Sequence, residues 1–518
     1  MPSKEVTMGY DARMKIKVGV DKACDAVRPT LGVVGMTAMI ESLGLDPIEC
    51  DDGVTILKNL EFKDHYENMG LQKLRKAAVR TSVEGGDGTA TTTVLTQAIV
   101  GEAFREVGKD SSKIREVRER LGVGLEVVLG ELSKLKRDVS EDDIERIATI
   151  SSLDPEVAKL IAEIVKEVGV HGVVTVEKGA KLGYSKEIVK GAWIDKGLIS
   201  PYFINDPKTG SCVLEDAYIV LVDRKLSSNE QIVPILQSIG TGKSILFIAD
   251  DVDSVALGTL AQNAMQSIAR IGCVRNPFSA SAARDFLFDI AALTGATVIS
   301  EESGMKLPEA TVALCGRADK VIITKDSTTI IGGRSDSRLD ERIEEIQNLV
   351  ENTTSEYTKE QLEDRLAQLT GGIGVIRVGA YTDTEFNAKK YKFENAINAT
   401  QAALQEGILP GGGVALAVVS EKIDDPIFKN SLVAPIIQMA RNAGMVKKGW
   451  FGESIDLDIG ENVGYDFKTK ERVDMFDAGI IDPFKVVRLA LESAVAIAQS
   501  LINVETAIIS EKDAYQKD

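Results

Sequence analysis

The stretch from Val83 to Val94, V-E-G-G-D-G-T-A-T-T-T-V, constrains this chain more than any other. Gly85, Gly86 and Gly88 permit a tight turn in backbone conformations barred to other residues. Beyond it Val94, Leu95, Ala98, Ile99, Ala103, Phe104 and Val107 recur at spacings of one, three and four, which predicts a helix opening at Thr89. Glycines ahead of a helix leave free N–H groups and the positive dipole end aimed at one point, a setting that suits phosphate. Hydroxyls of Thr89, Thr91, Thr92 and Thr93 add donors. Asp87 repels phosphate unless a cation lies between them. Mg²⁺ resolves that conflict, because it takes one or two carboxylates together with phosphate oxygens. The plainer alternative is Asp87 as the N-cap of an ordinary helix. The segment alone leaves both open.

At 518 residues the chain has room for about three domains and a large core. Hydrophobic residues at 44% and charged ones at 27% are the balance of a globular protein in water. A net charge of −18 argues against a non-specific nucleic-acid binder, which must neutralise phosphates. No apolar run nears the ~20 residues that span a membrane. The opening MPSKEVTMGYDARMKIKVGV has no apolar core or small-residue cleavage site and is acidic early, so secretion is not indicated, and the cysteine usage fits a reducing cytoplasm, the location expected. Cys24, Cys50, Cys212, Cys273 and Cys315 are far apart, odd in number and free of any CxxC pair, and His65 and His171 are the only histidines. Structural zinc, a disulfide framework and histidine-centred catalysis are therefore poorly supported.

Read in order, 11–28 is helical and ends at Pro29, followed by a turn at Thr30-Leu31-Gly32. Short β-type runs at 37–40 and 54–57 flank Asp51-Asp52-Gly53, a usual hairpin turn. Helical patterns cover 68–84, 113–135 and 141–168. From 172 the character changes. A strand at 172–176 opens β-rich sequence to about Gly210, and 217–222 and 245–249 are near-continuous apolar runs, as in a sheet buried on both faces. Helices at 228–239, 252–270 and 282–294 alternate with strands at 271–274 and 297–300, which reads as an α/β block. Strands at 320–324 and 328–331, a charged helical hairpin over 336–369, and a strand at 375–378 follow. Helix returns over 385–406, meets Pro410-Gly411-Gly412-Gly413, and continues to 446. The stretch 447–464 carries no readable pattern. A helix over 483–501, a strand over 503–510 and a frayed tail, EKDAYQKD, close the chain. Gly240-Thr241-Gly242-Lys243-Ser244 imitates the end of a P-loop, but Gln237 stands where the motif needs glycine. The order there is helix, loop, strand, the reverse of a P-loop.

Candidate phosphate and cation groups fall at 30–32, 51–53, 87–91 and 411–413, toward the two ends. That suggests one domain assembled from both termini with the α/β block inserted into it.

Over essentially its whole length the chain resembles the group I chaperonins, the bacterial GroEL type. The resemblance is carried by TLG at 30–32, DGV at 52–54, GGDGT at 85–89, SPYFIN at 200–205, TVISEE at 297–302, KDSTTIIGG at 325–333, PGGGVAL at 410–416 and DP at 482–483, in the family's order. It implies a multidomain fold. A mostly α-helical equatorial domain comes from both termini (1–133 and 406–518), with a small α+β intermediate domain (134–190 and 374–405) and an α/β apical domain (191–373). Hinges are implied near Gly191 and Gly371-Gly372, where large backbone changes must be absorbed.

The cofactors implied are ATP and Mg²⁺, with K⁺ as a second cation. Thr30, Leu31, Gly32 and Val33 would lie around the phosphates. Asp87 would hold Mg²⁺, and Gly88, Thr89, Ala90 and Thr91 would cradle the phosphates. Gly412 and Asp482 would bound the adenosine, with Ile150 and Ile480 packed on it. Asp52 would stand beside the γ-phosphate and the attacking water. Two departures matter. The family's lysine before Asp-Gly is Asp51 here, and its hydrolytic aspartate matches Asn395 in Glu394-Asn395-Ala396. An amide cannot accept a proton, though it can orient water; slowed hydrolysis is one reading, and Asp51 as a replacement carboxylate is another. Tyr465-Asp466-Phe467-Lys468 also departs from the family at the base-binding edge, and Val33-Val34 replaces Pro-Lys.

In the apical block the resemblance puts a polypeptide-binding groove on Leu198, Tyr202, Phe203, Val233, Leu236 and Leu257, with Ala261-Gln262 where relatives have Val-Val. An exposed apolar groove binds unfolded chains by burial without reading sequence; the alternative is that these are core residues. Implied partners are non-native polypeptides, a cochaperonin lid and copies of the same chain in rings of seven, with no nucleic acid and no membrane. A holdase ring with little ATP turnover is the rival function, favoured by Asn395.

Overall fold

The computed structural model describes residues 4–510 apart from 42–46, 153, 170–171, 180–181, 208, 279, 301–303, 336, 354–355, 450–451 and 455–456. The expected frayed tail at 511–518, part of TVISEE and part of 447–464 lie outside the described residues. The chain divides into two compact units, 1–162 with 388–518, and 163–387.

The first unit is mainly helical and draws on both ends of the chain. Its core is built by the helices Gly9–Val27, His65–Gly85, Thr89–Val107, Ile114–Leu135 and Phe484–Ile502. In the last of these, Leu491, Ala494, Val495 and Ala498 recur at helical spacing and are buried. Gly19 and Gly70 let two of these helices meet backbone to backbone. A Cβ on Gly19 would lie 1.9 Å from the Glu67 carbonyl oxygen, and one on Gly70 would lie 2.2 Å from that of Ile16. Lys4–Met8 pairs antiparallel with Thr506–Ser510, and buried Arg13 donates to Glu505 and to the Val504 carbonyl, which ties head to tail.

The second unit holds a six-stranded mixed sheet in the order Gly191–Ile194, Thr328–Gly333, Gly316–Ile323, Cys212–Val222, Ser244–Ala249, Arg270–Arg275. The last three strands run parallel, and every residue of Ser244–Ala249 is buried, as its unbroken apolar run predicts. The other half of the sheet is antiparallel. A smaller sheet places Ile373–Val378 between Val173–Lys178 and Tyr184–Val189. The charged helices Arg338–Asn352 and Glu356–Gly371 are held by ion pairs as well as by apolar contact: Asp289 accepts from Arg342 Nε and Arg365 Nε, both at 2.8 Å. No described helix is long and apolar enough to cross a membrane.

Several sequence expectations need correction. The β-type run at 54–57 is helix, Gly53–Asn59, because Asp52 caps it: its carboxylate accepts from Val54 N at 3.2 Å and Thr55 N at 2.8 Å. The hairpin at this place is Ala38–Ile40 with Ile48–Cys50, one element earlier. The helix expected over 141–168 is two, Glu141–Ser152 and Pro155–Val168, with proline at the restart. The helix expected over 252–270 ends at Met265, where Ser267 takes a positive φ of 56°. The strand at 297–300 is reduced to one bridge, Ile299 to Val222. Helix to 446 stops at Asn442, and Lys447–Gly449 pairs with Gly452–Ser454.

Candidate functional site

The glycine turn is set by two residues. Gly86, with φ +79°, ends the His65–Gly85 helix, and Gly88, with φ +89°, stands at the N-cap of Thr89–Val107. Gly85 stays helical. Asp87 is not the N-cap. Its carboxylate accepts only the Gly88 N–H, at 2.6 Å, and the helix start has no side-chain cap. The N–H groups of its first turn are therefore left for another acceptor. The threonines divide in a way their spacing did not reveal. Thr92 and Thr93 hydroxyls donate back to the Gly88 and Thr89 carbonyls at 2.8 and 2.7 Å and are fully buried, so they are not ligand donors. Thr89, Ala90 and Thr91 remain at the helix mouth.

Asp52 is brought beside this mouth. A Cβ on Gly53 would lie 2.9 Å from Thr89 Cγ2, so the two helix starts touch. Both Asp52 oxygens are engaged in capping, Oδ2 also accepting the Thr55 hydroxyl at 2.6 Å. Asp52 thus supplies fixed charge more than a free base. Asp51 precedes it and is exposed. Asp482 arrives from the tail, on the short strand Ile481–Pro483 opposite Leu409.

The charge of Asp52 acts on Asp87, and that of Asp87 on Asp482. Asp87 opens to solvent yet is crowded by protein, and that desolvation, with the charge of Asp52, raises its pKa against the pull of the Gly88 N–H. Desolvation and the charge of Asp87 push Asp482 up to about 6. Among the described residues no basic group acts on Asp87 or Asp482 to offset this. Among the described residues no three His, Cys, Asp or Glu side chains form a metal cage by themselves. The donor set therefore suits a hard cation that brings further oxygens with it.

The two remaining turns are joined by the helix Ala434–Asn442. Gly32, with φ +89°, follows buried Leu31, and a Cβ on it would meet Met439 Cγ at 2.9 Å. Gly413, with φ +78°, starts the Val414–Glu421 helix without a side-chain cap, and its Cβ would meet Met439 Cε at 3.1 Å. Gly412 faces Met475, Ile480 and Phe467, at 3.1, 3.7 and 3.9 Å from its would-be Cβ. Met475 has no signal in the sequence; Phe467 lies in the tetrapeptide Tyr465-Asp466-Phe467-Lys468, which the resemblance puts at the base-binding edge although its residues depart from the family. Ile150 is exposed on Glu141–Ser152, one turn beyond Arg146, whose side chain meets Gly479 next to Ile480. Val33 is exposed and Thr30 half-buried. A separate cavity of about 320 Å³, lined by Val433, Ile436, Ile437 and Leu457 among others, holds none of the predicted residues.

The helix Asp383–Glu406 closes on the glycine turn. A Cβ on Gly86 would lie 2.1 Å from Asn398 Cβ, and half-buried Asn395 stands one turn earlier on the same helix face.

In the second unit the groove residues separate into two layers. Tyr202 is 62% exposed at the short helical turn Pro201–Phe203, while Leu198, Val233, Leu236 and Leu257 are half-buried. Phe203 and Ala261 are 2% and 6% exposed and belong to the core beneath, contrary to their expected place in the groove; Gln262 is exposed. The helices Asn229–Ile239 and Ser254–Met265 lie against each other. Val255 and Met265, exposed on the second helix, are apolar surface that no motif in the sequence marks. Of the hinge glycines, Gly372 has φ +68°, whereas Gly191 is inside a strand, paired with Ile331.

This is the fold of a chaperonin. The chain matches the model of the TCP-1/cpn60 chaperonin family over residues 24–512 and belongs to that family. Among solved structures it is similar to the chaperonin gp146 from the bacteriophage EL 2 (Pseudomonas aeruginosa), determined in the presence of ATP-BeFx, at 22% identity and a TM-score of 0.73. The likeness covers 98% of this chain and 99% of that one, and at this identity it is a likeness of fold.

Proposed function

We propose that this protein is a group I, GroEL-type chaperonin that binds ATP in the unit built from both termini and uses it to fold non-native polypeptides inside a homo-oligomeric ring, seven subunits to a ring. The observation that supports this most directly is the meeting of Asp52 and Asp87 from the head and Asp482 from the tail at an uncapped helix start. Free N–H groups there suit phosphate, and the unbalanced carboxylates suit its cation. Thr30–Val33 and Gly88–Thr91 surround the phosphates, with the N–H groups of Gly32, Val33 and the first turn after Gly88 as backbone donors. Gly412, Ile480, Ile150 and Asp482 bound the adenosine. Mg²⁺ held by Asp87 would neutralise charge between carboxylate and phosphate oxygens, with K⁺ as a second cation. Asn395 orients the attacking water, and Asp52 contributes fixed charge beside it. Phosphoryl transfer rests largely on such positioning.

The finer domain division (1–133, 134–190, 191–373, 374–405, 406–518) belongs to this reading, with Gly191 and Gly371-Gly372 as hinges. Nucleotide moves the inserted portion only through different affinity for its two states. The open layer of the groove, Tyr202, Leu198, Val233, Leu236 and Leu257, takes clients and then a cochaperonin lid. The protein acts in the cytoplasm. A holdase ring with little turnover is the second reading, favoured by the amide of Asn395.

A malachite-green phosphate assay, with and without denatured client, separates them. Magnesium-dependent phosphate release that responds to client supports the folding machine, and client binding without release supports the holdase. Absence of rings in negative-stain images would remove both.

A pH dependence follows from Asp482 and Asp87. A carboxylate whose pKa is raised on folding favours the native state while protonated; that contribution is full below about 4 and is lost as pH climbs through about 6. The ligand-free protein should therefore lose thermal stability across that window. Affinity for ATP with Mg²⁺, which needs the ionised carboxylates, should rise across the same window. Melting curves with and without nucleotide at pH 4.5 to 7.5, on the order of the carboxylate range, check both signs.

A further inference from the structure

The side-chain amide of Asn442 ends the Ala434–Asn442 helix and sits against the carbonyl face of the Arg28–Leu31 turn. Its Nδ2 lies 2.9 Å from the Leu31 oxygen, 3.1 Å from that of Arg28 and 3.3 Å from that of Pro29. Its own Oδ1 accepts from Gln438 Nε2 at 2.8 Å, and Gln438 is buried. The Gln438 bond therefore keeps the oxygen of Asn442 away from the turn and its NH₂ toward the three carbonyls.

The consequence lies on the other face of the turn. No peptide bond here is cis, so each carbonyl and the N–H that follows it point to opposite sides. Drawing the Leu31 oxygen to Asn442 turns the Gly32 N–H away from it, while the Thr30 N–H belongs to the 3-10 turn Arg28–Thr30. The Gly32 and Val33 N–H groups take no protein acceptor among the described hydrogen bonds. The Gly35 N–H to Gly32 and Met36 N–H to Pro29 bonds, both 2.9 Å, close the turn, and Met439 fills the space under Gly32. The Leu31 N–H is taken by the Arg28 carbonyl at 3.3 Å, so the two successive N–H groups of Gly32 and Val33 form the anion cradle, its aim set from behind.

We infer that Asn442 is a positioning residue: with Gln438 it pre-aims the Gly32 N–H, and the Val33 N–H beside it, at the nucleotide phosphates without touching the nucleotide. This rests on the reading of the site given above. The expected signature is selective for phosphate. Asn442→Ala should weaken ADP binding about tenfold, the scale of one hydrogen bond to a charged group, and leave adenosine binding within about twofold. Gln438→Met, which frees the Asn442 amide, should move ADP affinity in the same direction by less.

The test is titration of the intact protein with ADP and with adenosine by calorimetry, alongside melting curves. If the unsubstituted protein binds neither ligand, the nucleotide reading itself has failed. If it binds ADP and Asn442→Ala binds ADP equally well, only the positioning role is overturned. Equal loss for ADP and adenosine would make Asn442 a strut for the whole pocket and also overturns it. Should Asn442→Ala not fold, Gln438→Met decides by the same ADP-to-adenosine comparison.

Discussion

Asp87→Asn should reduce ATP turnover on the order of 100-fold or more, while the protein melts at the same temperature or higher. Both signs come from one geometry. The Asp87 carboxylate bonds only to the Gly88 N–H, a bond that an asparagine oxygen keeps. What the substitution removes is charge. Where a cation must sit between this group and phosphate, loss of the charge removes the cation's anchor and with it the neutralisation of the transferring phosphoryl group. In the free protein the same charge is a burden, since it is crowded by protein and repelled by Asp52, and it raises the pKa of Asp482 in turn. Loss of activity with gain of stability is the mark of a group kept for ligand and not for folding. A phosphate-release rate read beside a melting curve checks it. Near-normal turnover, or a large fall in melting temperature with activity retained, would contradict the assignment.

What could be read before folding follows from where the information lies. The glycine turn was legible because Gly86 and Gly88 occupy backbone conformations that the residue type announces. The buried parallel strands were legible because an apolar run as complete as Ser244–Ala249 has few other places to go. Gly53–Asn59 reads as a strand because Val54, Ile56 and Leu57 have the composition of one, and the deciding bond is a side-chain cap from Asp52. Thr92 and Thr93 looked like ligand donors because a hydroxyl bonded to its own helix has the same letter as one that faces a phosphate. Motif order puts Phe203 and Ala261 in the groove, while their burial comes from the packing of the Pro201–Phe203 turn and the Ser254–Met265 helix on each other and on Arg270–Arg275. Asn442 was invisible for the same reason: its role depends on three carbonyls more than 400 positions away.

The largest gain of function should come from Asn395. Restoring a carboxylate there, Asn395→Asp, should raise turnover on the order of 100-fold, the low end of what a placed general base contributes. The residue is half-buried on the helix that packs on Gly86, so a carboxylate enters a place already built against the glycine turn. Asp52 is a poor substitute, since both its oxygens are committed to the cap of Gly53–Asn59. Asp51, exposed and one residue earlier, caps no helix among the described residues. If it stands in for the missing carboxylate, Asp51→Lys should lower turnover on the order of tenfold in the natural background, and far less once Asn395→Asp is present, because two carboxylates serving one water are not additive. The four rates of this cycle separate the cases. An intact rate in Asp51→Lys refutes the substitution by Asp51 outright. Equal losses in both backgrounds would mean that the lysine perturbs the cap of the neighbouring helix and that no carboxylate at 51 takes part in the chemistry.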